Sequence, residues 1–282
     1  MKSTYSIPTH PSGILPKFRA AHPYRQLELD DGSWRYIAAG SGRKTLLLLP
    51  GAFVGAEMWL HLITSLQDRY RILTLDNPPK AITLAEMNAA LVRLLDNENI
   101  QRITLLGYSA GGGLAQAFMQ SHSDRVEDLI LSHCTPLSAD AAHRLDRMAG
   151  LLKLLPIPFI RVLFKKRSSR YLSNSAWADF TRAFFAERIA TLKKEDLLLF
   201  VQSGVEAART FQFDSQALQN WAGRILLMSS KDDATTFPRL DEMQVRYRSA
   251  QTHVFEQGGH HTLLLFPEIY NSTLAGFLEA LP

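Results

Sequence analysis

The run Leu46-Leu47-Leu48-Leu49, closed by Pro50-Gly51, constrains the fold more than any other feature of this chain. Four apolar residues without polar alternation suit a strand covered on both faces. Strands of that kind belong to parallel sheets packed between helices. The surrounding sequence repeats the theme. Tyr24 to Leu29 and Ser33 to Ala39 read as strands joined by the turn signal Asp30-Asp31-Gly32. Glu57 to Arg69 has helical spacing, Tyr70 to Leu75 is a strand stopped by Asn77-Pro78-Pro79, and Ile82 to Asp96 is helical again. Arg102 to Leu106, Gly111 to His122 and Val126 to Ser132 continue as strand, helix and strand. The expected class is α/β, with a mostly parallel central sheet and helices on both faces.

After Pro136 the alternation stops, and the chain reads as helices rich in Leu, Phe and Ala. Strand signals return at Arg224 to Ser229 and Gln251 to Glu256, and Pro267 to Leu281 closes with a helix. The economical division is one core, 1–137 and 221–282, interrupted by a helical insertion over 138–220. The stretch Met1 to Ala20, with Pro8, Pro11 and Pro16 and no continuous apolar run, reads as an irregular lead-in without a signal peptide. Charged residues at 21% and hydrophobic residues at 46% exclude a disordered chain. A net charge of +4 is too mild for a nucleic-acid binder. No run approaches the ~20 apolar residues of a membrane span. Cys134 stands alone, so no intramolecular disulfide forms, and a reducing, cytoplasmic setting is expected.

Chemistry concentrates at three places. Gly107-Tyr108-Ser109-Ala110-Gly111 falls where a strand ends and a helix begins. Such a turn holds a serine in a strained conformation with its hydroxyl above the sheet, and a Cβ at either glycine would crowd it. A serine hydroxyl attacks only when a base removes its proton. The base expected here is His260, which directly follows Gly258-Gly259 on a loop after a strand, with His261 as flanking residue. A carboxylate must then orient the imidazole. Ser230-Lys231-Asp232-Asp233 follows a strand and offers two; Asp233 is preferred, with Asp232 the alternate acid.

The order Ser109, Asp233, His260 resembles the α/β-hydrolase superfamily over nearly the whole chain, from Tyr24 to Leu281. Gly259-His260, followed seven positions later by Pro267, is similar to that family's histidine loop. Where relatives carry His-Gly after an early strand, this chain has Pro50-Gly51-Ala52-Phe53. The resemblance implies that the amides of Ala52 (Phe53 in the other register) and Ala110 form an oxyanion hole. Ser230 replaces the glycine of the family's Gly-Asp turn, which keeps Asp232 in play. The short link Asp76-Asn77-Pro78-Pro79-Lys80 makes the core similar to the maspardin-like branch, whose activities are poorly defined. The resemblance implies a serine hydrolase of carboxylic esters or lactones working through an acyl-enzyme. Thioesterase, perhydrolase and carbon–carbon bond hydrolase chemistry would use the same residues, and a non-catalytic scaffold is the reading from another class. No metal or cofactor is expected: the histidines lack ligand spacing, and the glycines around Ser109 make neither a dinucleotide nor a P-loop fingerprint.

In relatives an insertion at this place roofs the site. Here it carries Leu151 to Phe159, Ile160 to Phe164 and then Lys165-Lys166-Arg167. Basic, apolar helices can lie on an anionic membrane. The favoured expectation is that the apolar side packs inward and the charges face water, without membrane insertion. Trp177, Phe180, Phe184, Phe185, Phe200, Phe211 and Phe213 supply core, with some facing a hydrophobic pocket. Tyr108, Phe53 and His133 are candidate contacts for a small hydrophobic ester; for His133 a satisfied core role is favoured over a pocket wall. Cys134 has no elbow around it and is not expected to act as nucleophile.

Overall fold

The computed structural model describes residues 13–29, 32–78, 80, 82–168 and 175–280. Its strands are β1 (Arg25–Leu29), β2 (Gly32–Ala39), β3 (Thr45–Leu49), β4 (Arg71–Leu75), β5 (Ile103–Tyr108), β6 (Val126–Ser132), β7 (Ile225–Ser230) and β8 (Gln251–Phe255). They form one sheet in the order β1-β2-β4-β3-β5-β6-β7-β8. β1 with β2 and β2 with β4 pair antiparallel; every later pair is parallel. The alternating side-chain directions of a strand explain the leucine run. Leu46 and Leu48 enter one apolar layer with Leu106 and Ile130, while Leu47 and Leu49 enter the other with Leu105 and Leu129.

Helices cover both layers. They are α1 (Ile14–Ala21), α2 (Leu60–Leu66), α3 (Leu84–Asn97), α4 (Ala110–Ser121), α5 (Ala139–Leu154), α6 (Ile157–Ser168), α7 (Ala178–Thr191), α8 (Lys194–Thr210), α9 (Leu240–Arg246), α10 (Thr262–Leu265) and α11 (Pro267–Glu279). Leu62 of α2 and Tyr270 of α11 pack on one face of the sheet, Leu94 of α3 and Phe118 of α4 on the other. Thr83 and Glu86 cap the start of α3 reciprocally, a capping box that sets where this helix begins.

Three expectations need correction. Part of the lead-in is helical: α1 buries Leu15 and Phe18 on the sheet layer that also holds Leu60, and Pro16 falls in its first turn, where a missing N–H does little harm. The strand and turn signals of 224–256 concealed α9, whose Met243 is buried. The third concerns α5 and α6. Leu152 and Ile160 pack inward as expected, but Leu151, Leu154, Phe159, Val162 and Leu163 face solvent. The insertion is too thin to cover both sides of these helices. Among the described residues, no helix is long and apolar enough to cross a membrane.

The crossover pattern locates a site before any side chain is considered. From β3 the chain passes to β4 on one side, and β5 lies on the other. Such a switch point opens a crevice at the carboxyl ends of the strands. The turn after β3 and Ser109 after β5 both lie there.

Candidate active site

Ser109 links β5 to α4 at φ 53° and ψ −116°, a conformation costing on the order of 1–3 kcal/mol for a non-glycine residue. Its surroundings enforce it. The Ser109 amide donates to the Ser132 carbonyl (3.0 Å), and its carbonyl accepts from the Gly112 amide (3.0 Å). A Cβ on Gly111 would stand 2.2 Å from the Leu49 carbonyl oxygen, so only glycine lets α4 start this close to β3.

The loop after β8 delivers the imidazole. Gly258 and Gly259 take φ values of 116° and 53°, and His260 follows. Its Nδ1 lies 2.8 Å from Asp233 Oδ2, and its Nε2 lies 2.8 Å from Ser109 Oγ. Facing a carboxylate, Nδ1 carries the proton, which leaves Nε2 to accept from the serine hydroxyl. Asp233 is wholly buried past the end of β7. Burial works to raise its carboxyl, but the bond from His260 outweighs this, helped by Thr236 Oγ1 and the Thr235 amide; the group is held well below the usual carboxylate range. The two threonine partners were not anticipated, although Thr two and three positions after an aspartate is a recognisable turn signal.

Asp232, the alternate acid, is placed elsewhere. Its carboxylate accepts from the amides of Gly258 (3.2 Å) and Gly259 (2.8 Å), so it pins the loop that presents His260. His261 packs against Phe185, with ring centroids 4.5 Å apart. Tyr108, expected at the pocket, is buried instead. As the last residue of β5 it points to the layer beneath the site, its ring 5.5 Å from that of His260 and edge-on to Trp59. His133 borders the cavity above Ser109 but is fully buried, and both ring nitrogens are engaged, by Ser132 and Ser230 at 2.9 Å each. Burial, with the nearby His260 second, pushes it down to about 3, so it is a neutral brace between β6 and β7. Burial pushes the Cys134 thiol up to about 12, which removes any thiolate.

At the turn after β3, the Gly51 amide faces the Met58 sulfur at 3.2 Å. Ala52 and Phe53 follow, Phe53 at φ 64°. Ala110 opens α4, so its amide has no carbonyl one turn earlier to bond. Above Ser109 lies a cavity of about 560 Å³, lined by Ser109, His260 and Phe53 and walled by Leu145 of α5 and Phe200 of α8. Phe53 and Phe200 pack with ring centroids 4.6 Å apart. Arg188 of α7 also lines it and shares the buried Glu57 carboxylate with Arg19 of α1, so one ion-pair network ties the insertion to the core.

This architecture agrees with comparison to known proteins. The sequence profile described as the alpha/beta hydrolase family matches residues 46–273, most of the chain. The chain belongs to the alpha/beta hydrolase family. Among curated members it is 22% identical over 254 residues to a putative carbamate hydrolase, RutD, of Caulobacter segnis, covering 85% of this chain and 92% of that protein. Among solved structures, an esterase from Exiguobacterium antarcticum superposes with a TM-score of 0.73 at 18% identity, covering 90% of this chain and 99% of that one. The enol-lactonase of Burkholderia xenovorans superposes with a TM-score of 0.71 at 17% identity, covering 92% and 100%. At these identities the structural likenesses establish the alpha/beta hydrolase fold. The narrower similarity to the maspardin-like branch is not confirmed by these matches.

Proposed function

We propose that this alpha/beta hydrolase cleaves carboxylic esters, including lactones, through an acyl-enzyme on Ser109. The observation that carries the reading is a single imidazole within 2.8 Å of both a strained serine hydroxyl and a buried carboxylate. His260 Nε2 removes the proton as Ser109 Oγ attacks the carbonyl carbon, and ionised Asp233 stabilises the imidazolium that results. The amides of Ala110 and Ala52, with Phe53 the alternative in that turn, receive the tetrahedral oxyanion. The N-terminus of α4 adds its dipole. One such donor is worth about 3 kcal/mol in the transition state. His260 then protonates the departing alcohol and activates the water that releases the acyl group.

The helices of 138–220 serve in this reading as a cap that selects substrates. The cavity size suits a small molecule, and the Phe53, Leu145 and Phe200 walls favour a hydrophobic acyl or ring group. The esterase and enol-lactonase similarities support ester over amide chemistry. A fluorophosphonate probe tests the nucleophile: wild type labels and Ser109→Ala does not. A panel of simple esters, lactones, carbamates, thioesters and vinylogous diketones tests the bond class. Turnover confined to diketones would replace the ester assignment with carbon–carbon cleavage; neither labelling nor turnover would leave a scaffold.

A further inference from the structure

Six of the eight large apolar side chains exposed among the described residues fall between positions 148 and 163. Met148, Leu151 and Leu154 recur every third residue along α5, and Phe159, Val162 and Leu163 recur at i, i+3 and i+4 along α6. Each helix therefore turns one apolar face to water. Their other faces are satisfied: Leu152 and Ile160 pack with Leu197 and Val201 in the insertion's own small core. Leu154 is 82% exposed and Phe159 64%, so these faces are uncovered, not merely grazed by solvent. Six large exposed apolar side chains within sixteen residues, on two consecutive helices, mark a binding face.

The charges say which partner. From Met148 to Lys166 there is no carboxylate, while Lys153, Lys165 and Lys166 are exposed. Arg161 is turned inward and donates to the Leu192 carbonyl. We propose that this face docks the protein on an anionic lipid surface, with the apolar side chains at the acyl boundary and the lysines among the headgroups. Pro156 and Pro158 divide the stretch into helices of 16 and 12 residues, short of the ~20 needed to span a bilayer but suited to lying in its surface. A second copy of the chain fits less well, because a two-fold contact would set lysine against lysine. Leu145, on the same α5, lines the cavity, so docking would bring its wall close to the lipid. The docking itself does not depend on the reactivity of Ser109.

Cosedimentation of the full chain with lipid vesicles is the test. Binding is expected to phosphatidylcholine vesicles carrying about one quarter phosphatidylglycerol, and to weaken sharply on pure phosphatidylcholine or above about 0.5 M salt, where screening is short-ranged. Lys165→Gln with Lys166→Gln should weaken binding about 25-fold, at roughly fivefold per lysine. Leu154→Glu with Phe159→Glu should weaken it by at least about tenfold. These positions are exposed, so an unchanged melting temperature is the control for folding. Failure to bind anionic vesicles, or binding indifferent to both double variants, overturns the proposal. A dimer in light scattering that Leu154→Glu/Phe159→Glu dissociates would assign the face to a second copy instead.

Discussion

The turn that carries Ser109 and the helices α5 and α8 border the same cavity, yet they are held in different ways. Around the turn, backbone contacts and buried hydrogen bonds fix the groups: Gly111 abuts the Leu49 carbonyl, the Ser109 amide bonds the Ser132 carbonyl, and Asp233 is wholly buried and bonded on both oxygens. In the insertion, α5 and α8 pack largely on one another through Leu152, Leu197 and Val201, and the cavity-facing Leu145 and Phe200 are only half-buried. Close packing of backbone against backbone leaves no room for adjustment. Side chains on helices seated by a few contacts do have that room. In the proposed function this contrast leaves the chemistry to the core and the selection of substrates to the insertion.

The sharpest way to break this division is Ser109→Ala. It should lower kcat about 10^6-fold for every substrate alike while leaving the melting temperature nearly unchanged. A loss restricted to some substrates in steady-state assays would mean that the core does not act alone. Next in size, Asp233→Asn should lower kcat about 10^4-fold, because the amide favours the wrong imidazole tautomer. Asp232→Asn should cost far less, since it loosens the histidine loop without touching the imidazole. Equal losses in the two variants would erase the distinction between their roles.

Acid should weaken the core through two buried histidines. Burial pushes His61 of α2 and His133 down to about 3, against an ordinary value of 6.5. Below pH 6.5 the unfolded chain takes up protons that the folded chain refuses, so stability falls as pH falls. Between pH 6.5 and 5.5 the pair should cost about 2 kcal/mol. The lowered Asp233 carboxyl adds its own loss only when pH drops below 3.8. Urea unfolding at the two pH values measures this, and His133→Asn should halve the slope; a flat profile contradicts it. The smallest effect belongs to the insertion. Phe200→Ala should shift kcat/KM about tenfold for bulky acyl or ring substrates and little for an acetate ester. A uniform loss across acyl sizes would move Phe200 from selecting substrates to supporting the core.

Much of this was legible in sequence because it rested on local rules. The leucine run, closed by Pro50-Gly51, reads as a doubly covered strand, and the glycines around Ser109, set between a strand and a helix, read as a tight turn. The glycine pair before His260 signalled a loop able to present an imidazole. What escaped were features decided by contact. Asp232 and Asp233 are adjacent and chemically identical, and only the path of the loop after β7 aims one at His260 and the other at two glycine amides. Tyr108 sits inside the motif, but strand pleating sends its ring under the site. For α1, burial of Leu15 and Phe18 outweighed a proline-marked sequence.

By itself the order of residues determined the alternating architecture, the turn that carries Ser109 and the two loops that carry His260 and the pair of candidate aspartates, since each follows from periodicity or from a turn that only certain residues can make. Only the folded chain decided which aspartate reaches the histidine, how far the insertion's helices cover the cavity, and that one side of α5 and α6 remains bare. Those outcomes depend on distances between segments up to 151 positions apart in the chain, as for Ser109 and His260. No local pattern of polarity encodes such distances.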